Sequence, residues 1–297
     1  MPQGRVATLN SRMKKELAAR SGLESWATTG RCPPGTPASS PNIRIVAISR
    51  RTAVNTDRAK LSSPDLRIGG FTPLTSIDYP GELAAVVFCQ GCPWRCRYCH
   101  NPELIPADGD TGITWGDIRE LLAQRTGLLD GVVFSGGEPT LQKGLAAALG
   151  EVRDMGFKTA LHSAGPYPRR LQKLFPLLDW VGLDIKTLPQ GYPSITGVPG
   201  SGEQAWESAR RLIASGVDHE IRLTVHPAWL PYEELQKTVH RLRSLGADRV
   251  ILQQGRTEHT LDPELSNRTL TSWDDYPDKM KSTAWTREMV PNQVPPA

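Results

Sequence analysis

Along the middle of this chain, short β-branched and apolar runs alternate with longer stretches whose apolar positions recur at helical spacing, a pattern that predicts repeated strand–helix units on a parallel sheet. Six strands are expected, over 84–89, 132–135, 157–161, 180–185, 221–225 and 250–252. The intervening helices carry their own punctuation. Thr114 caps a stripe of Ile118, Leu121 and Leu122 that Gly127 ends, and Leu141, Leu145, Leu149 and Val152 form a second stripe closed by Gly156. Ser201 and Gln204 read as a capping box ahead of Ala205, Ala209 and Leu212, while Pro231 opens a helix carrying Leu235, Val239 and Leu242 before Gly246. Six such units fall well short of the roughly 250 residues of a complete eightfold barrel. The expected fold is therefore α/β, a partial and laterally open (β/α)6 TIM-like barrel.

The flanks lack this regularity. Residues 1–65 are rich in Ser, Thr, Pro and Arg and read as a disordered basic extension; 66–255 form the core domain, and 256–297 a polar C-terminal tail. The formal charge of +4 over 297 residues suggests a nucleic-acid binder only until it is located. Residues 1–66 hold 11 Lys and Arg against 4 Asp and Glu, leaving 24 against 27 in the remainder. The folded part is mildly acidic, which argues against a nucleic-acid groove. No apolar run approaches the roughly 18 residues of a membrane span, and no apolar secretory stretch opens the chain, so a cytoplasmic protein is expected.

In a parallel βα array the ligand site lies at the carboxyl ends of the strands. The unusual residues of this chain fall there. Cys89-Gln90-Gly91-Cys92-Pro93-Trp94-Arg95-Cys96-Arg97-Tyr98-Cys99-His100-Asn101-Pro102 follows the first strand, and Ser135-Gly136-Gly137-Glu138-Pro139 the second. His162-Ser163, Asp184-Ile185-Lys186, His226-Pro227 and Gln253-Gln254 occupy the corresponding positions of the others. Four of the five cysteines lie in the first of these stretches, and Cys32 lies in the extension. The spacing Cys92-x3-Cys96-x2-Cys99 lets one short loop wrap three corners of a cubane iron-sulfur cluster and leaves the fourth iron open to a substrate. Two rivals stand beside that reading: a zinc site, and a closed electron-transfer cluster with Cys89 as fourth ligand.

The cysteine spacing, with Tyr98 before the last cysteine and Gly136-Gly137-Glu138-Pro139 after the next strand, resembles the radical S-adenosylmethionine superfamily. The stretch from Cys89 to Pro102 is similar, more narrowly, to the activating enzymes of glycyl radical enzymes. With Ser76-Ile77-Asp78-Tyr79-Pro80-Gly81, the run from Val181 to Lys186, Ile195-Thr196-Gly197-Val198-Pro199-Gly200 and Thr224-Val225-His226-Pro227, it resembles those that serve anaerobic ribonucleoside-triphosphate reductase.

The resemblance implies a 4Fe-4S cluster on Cys92, Cys96 and Cys99 and S-adenosyl-L-methionine as second cofactor. The cofactor would be cleaved reductively, and the resulting radical would take hydrogen from a glycine of a partner enzyme. Tyr98 would lie near the adenine or simply pack beside the cluster. Gly136 and Gly137 would let backbone approach the methionine amino group, and Glu138 would place a negative charge near it or else cap the next helix. Asp184 and Lys186 would line the mouth, Lys186 neutralising the cofactor carboxylate, unless the two belong to surface ion pairs. Arg222 and His226 are further pocket candidates, and His162-Ser163 stands where some activases carry Asp-Thr. With so few cysteines there is no room for extra clusters, so an external reductant such as flavodoxin would supply electrons. The alternatives are a radical enzyme acting on another peptide or metabolite, and a non-catalytic iron-sulfur electron carrier.

Overall fold

The computed structural model describes residues 64–267, apart from 110 and 258, together with the backbone of 285–286. The expected extension, with Cys32, lies outside these residues except for its last two positions. Eight strands form one sheet in chain order: β1 (Ile68–Thr75), β2 (Ala84–Cys89), β3 (Gly131–Gly136), β4 (Lys158–Ser163), β5 (Trp180–Asp184), β6 (Asp218–Val225), β7 (Val250–Gln254) and β8 (Trp285–Thr286). Strands β2 to β8 run parallel and β1 pairs antiparallel with β2. Among the described residues β1 and β8 do not pair, so the barrel stays open between them.

The six expected strands are β2 to β7, with modest shifts at their ends. His162 and Ser163, expected beyond the third of them, are the last two residues of β4. Strand β1 was not expected. Two glycines and Pro73 interrupt its alternation, and an edge strand tolerates such a proline because one row of its N–H groups needs no partner. Helices α1 (Trp115–Ala123), α2 (Leu145–Asp154), α3 (Pro168–Leu174), α4 (Tyr192–Thr196), α5 (Ser201–Ile213), α6 (Tyr232–Ser244) and α7 (Pro263–Asn267) cross between strands or follow them. Thr114 does cap α1, in a reciprocal box with Asp117. The expected capping box at Ser201 does not form: Gly200 occupies the cap position in a left-handed conformation, and the Ser201 hydroxyl donates to the Val198 carbonyl at 2.7 Å.

Side chains alternate along each strand between two apolar layers. Ala85, Val87 and Cys89 share with Val132, Phe134, Leu161, Val181, Leu183, Leu223 and Val225 the core under the helices. Ala84, Val86, Val133, Ala160 and Trp180 form a second cluster inside the curved sheet, with Tyr79 from the β1–β2 loop. The Tyr79 ring stacks on Trp180, with centroids 5.6 Å apart, and lies against Gly131 at the amino end of β3. This packing fills the barrel floor and leaves its chemistry to the carboxyl ends of the strands. Truncating Tyr79 to Ala removes a buried aromatic from that floor and is expected to cost about 3 kcal/mol, read as a lower urea midpoint with unchanged slope.

Candidate active site

Six loops meet at the carboxyl end of the sheet, and the longest follows β2. It has no regular structure before the short turn Pro102–Leu104, so its backbone polar groups find partners elsewhere. Gly91 N–H donates to the Leu104 carbonyl at 2.8 Å and Cys92 N–H to Ile105 at 3.0 Å. Arg95 and Arg97 N–H donate to the carbonyls of Thr196 and Ile195, at 3.0 and 2.9 Å. The buried Gln90 amide staples the loop's return limb through the Glu103 and Pro106 carbonyls, at 2.9 and 2.7 Å, and Trp94 packs edge-on against Tyr192.

Cys92, Cys96 and Cys99 are half-buried on this loop, whereas Cys89 is fully buried at the end of β2. Burial pushes the Cys92 thiol up to about 12, with Glu138, Cys96 and Cys99 adding to the effect and the Trp94 N–H opposing it. Cys99 is raised in the same way, burial first, and it too feels Cys96. Cys89 is raised by burial and Glu138 against Arg67. Its strand parity, shared with Ala85 and Val87, turns it toward the helix layer. Three thiols therefore share the half-buried loop and the fourth stands apart at the end of β2. Such thiols ionise when a metal takes up their charge. Among the described residues no three His, Cys, Asp or Glu side chains converge on a point that would hold a single metal ion. In a cubane cluster the three thiols would each take a separate iron.

The Gly136-Gly137 turn has a tighter purpose than expected from sequence. Gly136 has φ +110, and a Cβ there would strike the backbone of Cys89 and Phe88; one on Gly137 would strike the carbonyls of Gly91 and Leu104. Gly137 N–H donates to Cys89 and Glu138 N–H to Gly91, both at 2.9 Å. The space freed by the missing side chains is filled by the cysteine loop itself. Glu138 is fully buried and acts as a cap. Its Oε1 accepts from Thr140 N–H at 3.0 Å, from the Thr140 hydroxyl, and from the Ser163 hydroxyl at 2.9 Å, and its Oε2 accepts from Ala164 N–H at 3.0 Å. Burial raises its pKa despite these four bonds. The capping reading is thus realised, and Glu138 ties the end of β3 to the end of β4 beside Cys92.

Lys186 is buried among the groups the sequence singled out. Burial works to lower its pKa, but Cys96, Tyr98, Asp184 and Tyr192 outweigh it and hold the ammonium well above the ordinary lysine range. Its Nζ lies 5.2 Å from the centre of the Tyr98 ring, and its backbone N–H donates to the Tyr192 hydroxyl at 3.0 Å. Tyr98 is also stacked on Trp229 at 4.6 Å, and Trp229 on His226 at 4.7 Å. The Tyr98 hydroxyl is buried, with the Lys186 ammonium as its polar neighbour. Asp184 pairs with Arg222, whose Nε lies 2.8 Å from Oδ1. His162 is held between the Ser135 hydroxyl at 3.3 Å and the Asp78 carbonyl at 2.8 Å. His226 is kept toward its neutral form by burial and accepts from Ala228 N–H at 3.1 Å.

The three cysteines, Tyr98, Lys186, Asp184 and Glu138 thus lie at or just beyond the carboxyl ends of β2, β3 and β5. Sequence reasoning missed Gln90, Trp229 and the segment around Asp262, because none carries a distinctive chemical group. The donor set fits an open cluster with a zwitterionic ligand: three thiols on one half-buried loop and a buried ammonium beside it. Gly137→Ala is expected to dislodge the cysteine loop, giving folded protein by circular dichroism that takes up iron and sulfide below stoichiometry. Glu138→Gln sets amide protons against hydrogen-bond donors and is expected to lower stability by about 2 kcal/mol in denaturant titration.

The chain matches the Radical SAM superfamily over residues 86–242. It is 28% identical over 208 residues to a Methanocaldococcus jannaschii protein with the provisional name glycyl-radical enzyme activating enzyme, covering 66% of this chain and 83% of that one. It is 36% identical over 137 residues to the pyruvate formate-lyase-activating enzyme of Clostridium pasteurianum, covering 44% of this chain and just over half, 57%, of that enzyme. Its fold is similar to that of Streptococcus suis SuiB bound to the precursor peptide SuiA, with TM-score 0.51 and 16% identity, over 68% of this chain and 48% of that one. The family match spans more than half of the chain and coincides with the cysteine loop, the glycine turn and the strands that carry Asp184 and Arg222; the chain belongs to the radical S-adenosylmethionine superfamily.

Proposed function

We propose that this protein activates a glycyl radical enzyme, placing a radical on a glycine of a partner, and that the partner is an anaerobic ribonucleoside-triphosphate reductase. The observation that carries the reading is that Cys92, Cys96 and Cys99 share one half-buried loop while Cys89 is buried at the end of β2, with Lys186 set over the ring of Tyr98 on that same loop. Members of the superfamily use a 4Fe-4S cluster and S-adenosyl-L-methionine, which together supply one-electron chemistry. Cys92, Cys96 and Cys99 hold the cluster in this reading. Lys186 offsets the negative charge of the cofactor carboxylate, and the Tyr98 hydroxyl gives a polar contact at the same wall.

Glu138 acts first on its own loops, fixing Thr140, Ser163 and Ala164 so that the glycine turn stays against the cysteine loop. Gly136 and Gly137 bring backbone close to the bound amino acid, and Asp184 lines the mouth under the hold of Arg222. The filled floor and the gap between the sheet's edges favour entry of a flexible glycine-bearing loop from the partner. Electrons come from an external donor, such as a flavodoxin, since the two remaining cysteines, Cys32 and Cys89, are too few to hold a further cluster. The relatives named as activating enzymes support the reaction class, and the stretches from Cys89 to Pro102 and from Ile195 to Gly200 support the reductase as partner.

Anoxic reconstitution followed by dithionite and S-adenosyl-L-methionine is expected to yield 5′-deoxyadenosine. Cys92→Ala abolishes that product, and Cys89→Ala retains both cluster and product. Mixing with the reductase then yields a glycyl doublet in electron paramagnetic resonance. Product without the doublet transfers the chemistry to another peptide or metabolite; cluster loss in Cys89→Ala with no product returns the protein to electron transfer.

A further inference from the structure

The cysteine loop is held from two sides, and the second holder lies beyond the last strand of the expected core. After β7 the chain turns back over the loop. His100 Nε2 lies 3.1 Å from the Arg256 carbonyl, Leu261 N–H donates to the Cys99 carbonyl at 3.0 Å, and Asp262 N–H donates to the Arg97 carbonyl at 2.9 Å. The Arg97 guanidinium then grips the Asp262 carboxylate, through Nε at 2.7 Å and Nη2 at 2.6 Å. Asp262 is itself fixed by Glu264 N–H at 3.0 Å, and Leu265 is fully buried in the main core. Residues 261–262 therefore run alongside residues 97–99 as an added backbone partner, anchored at one end by a buried leucine.

From this geometry we propose that residues 261–265 are a clasp that positions Cys99, with Arg97 and Asp262 as its latch. The inference rests on the cluster reading above and extends it to how firmly the cluster is kept. A loop without regular structure loses roughly 1–2 kcal/mol of backbone entropy for each residue it fixes, and iron leaves when the loop opens locally. Thr196 and Ile195 hold the N–H groups of Arg95 and Arg97, whereas the clasp holds the carbonyls of Arg97 and Cys99. With both sides tied, residues 95–99 resist opening and Cys99 stays where it can ligate. The latch differs from an ordinary surface ion pair because it joins two segments already bonded through their backbones, with two charge-assisted bonds to one carboxylate. Arg97 and Asp262 are positioning residues in this account, acting through Cys99.

The test uses full-length protein with its cluster reconstituted under anoxic conditions. An iron chelator is added and the decay of the sulfur-to-iron absorption band is followed. Arg97→Ala and Asp262→Ala are expected to release iron about five- to tenfold faster, the effect of losing about 1 kcal/mol of latch. The reciprocal pair Arg97→Asp with Asp262→Arg brings the rate back to within about twofold of the unaltered protein, since the attraction is restored with its sign reversed. Arg153→Ala, which breaks the ion pair with Asp179 between α2 and the loop before β5, leaves release unchanged. Release at the unaltered rate in both single variants, failure of the reciprocal pair to restore it, or equal acceleration by Arg153→Ala overturns the clasp. Unaltered protein that takes up no cluster defeats the cluster reading instead.

Discussion

The site depends on one constraint: an irregular loop must present three thiols in fixed positions although its own backbone forms no helix or strand there. Every buried N–H and carbonyl of such a loop needs a partner or costs free energy. Here the partners come from several directions. The return limb supplies Leu104 and Ile105, the stretch after β5 supplies Ile195 and Thr196, and the chain beyond β7 supplies Leu261 and Asp262. The barrel is the frame that brings these distant segments to one rim, and among the described residues its edge strands do not pair with each other.

The glycine turn shows how a single sequence feature can serve two ends. Its missing side chains admit the backbone of Cys89, Gly91 and Leu104, so a requirement that reads as room for a ligand is first a requirement for loop-on-loop packing. Glu138 extends the same logic. Its carboxylate is spent on Thr140, Ser163 and Ala164, and in doing so it stiffens the two turns that face the cysteines. Lys186 is the complementary case: a buried cation kept charged by the groups around it, and therefore a source of positive potential at the mouth.

Much of this was legible in the sequence because period and punctuation are local. The runs that become β2 to β7 alternate cleanly or are continuously apolar, and Thr114 announces a helix start that tertiary packing does not alter. Strand β1 was hidden because Gly69, Gly70 and Pro73 break the alternation, and only pairing with β2 makes it a strand. Ser201 misled because a capping residue and a first-turn residue look alike until the conformation of Gly200 is known. Cys92, Cys96 and Cys99 were identified by spacing, whereas the isolation of Cys89 follows from strand parity and from its burial at the end of β2. Asp262 could not be found from sequence at all, since its partner Arg97 lies far away in the chain and neither residue type is unusual.

The central claim is that one iron of a three-cysteine cluster has no protein ligand and is taken by the cofactor. Mössbauer spectroscopy of anoxic protein reconstituted with isotopically enriched iron tests it most directly. The account predicts a single iron site whose isomer shift moves on adding S-adenosyl-L-methionine while the other irons stay as they were. Spectra that show four equivalent irons before and after the addition would contradict it.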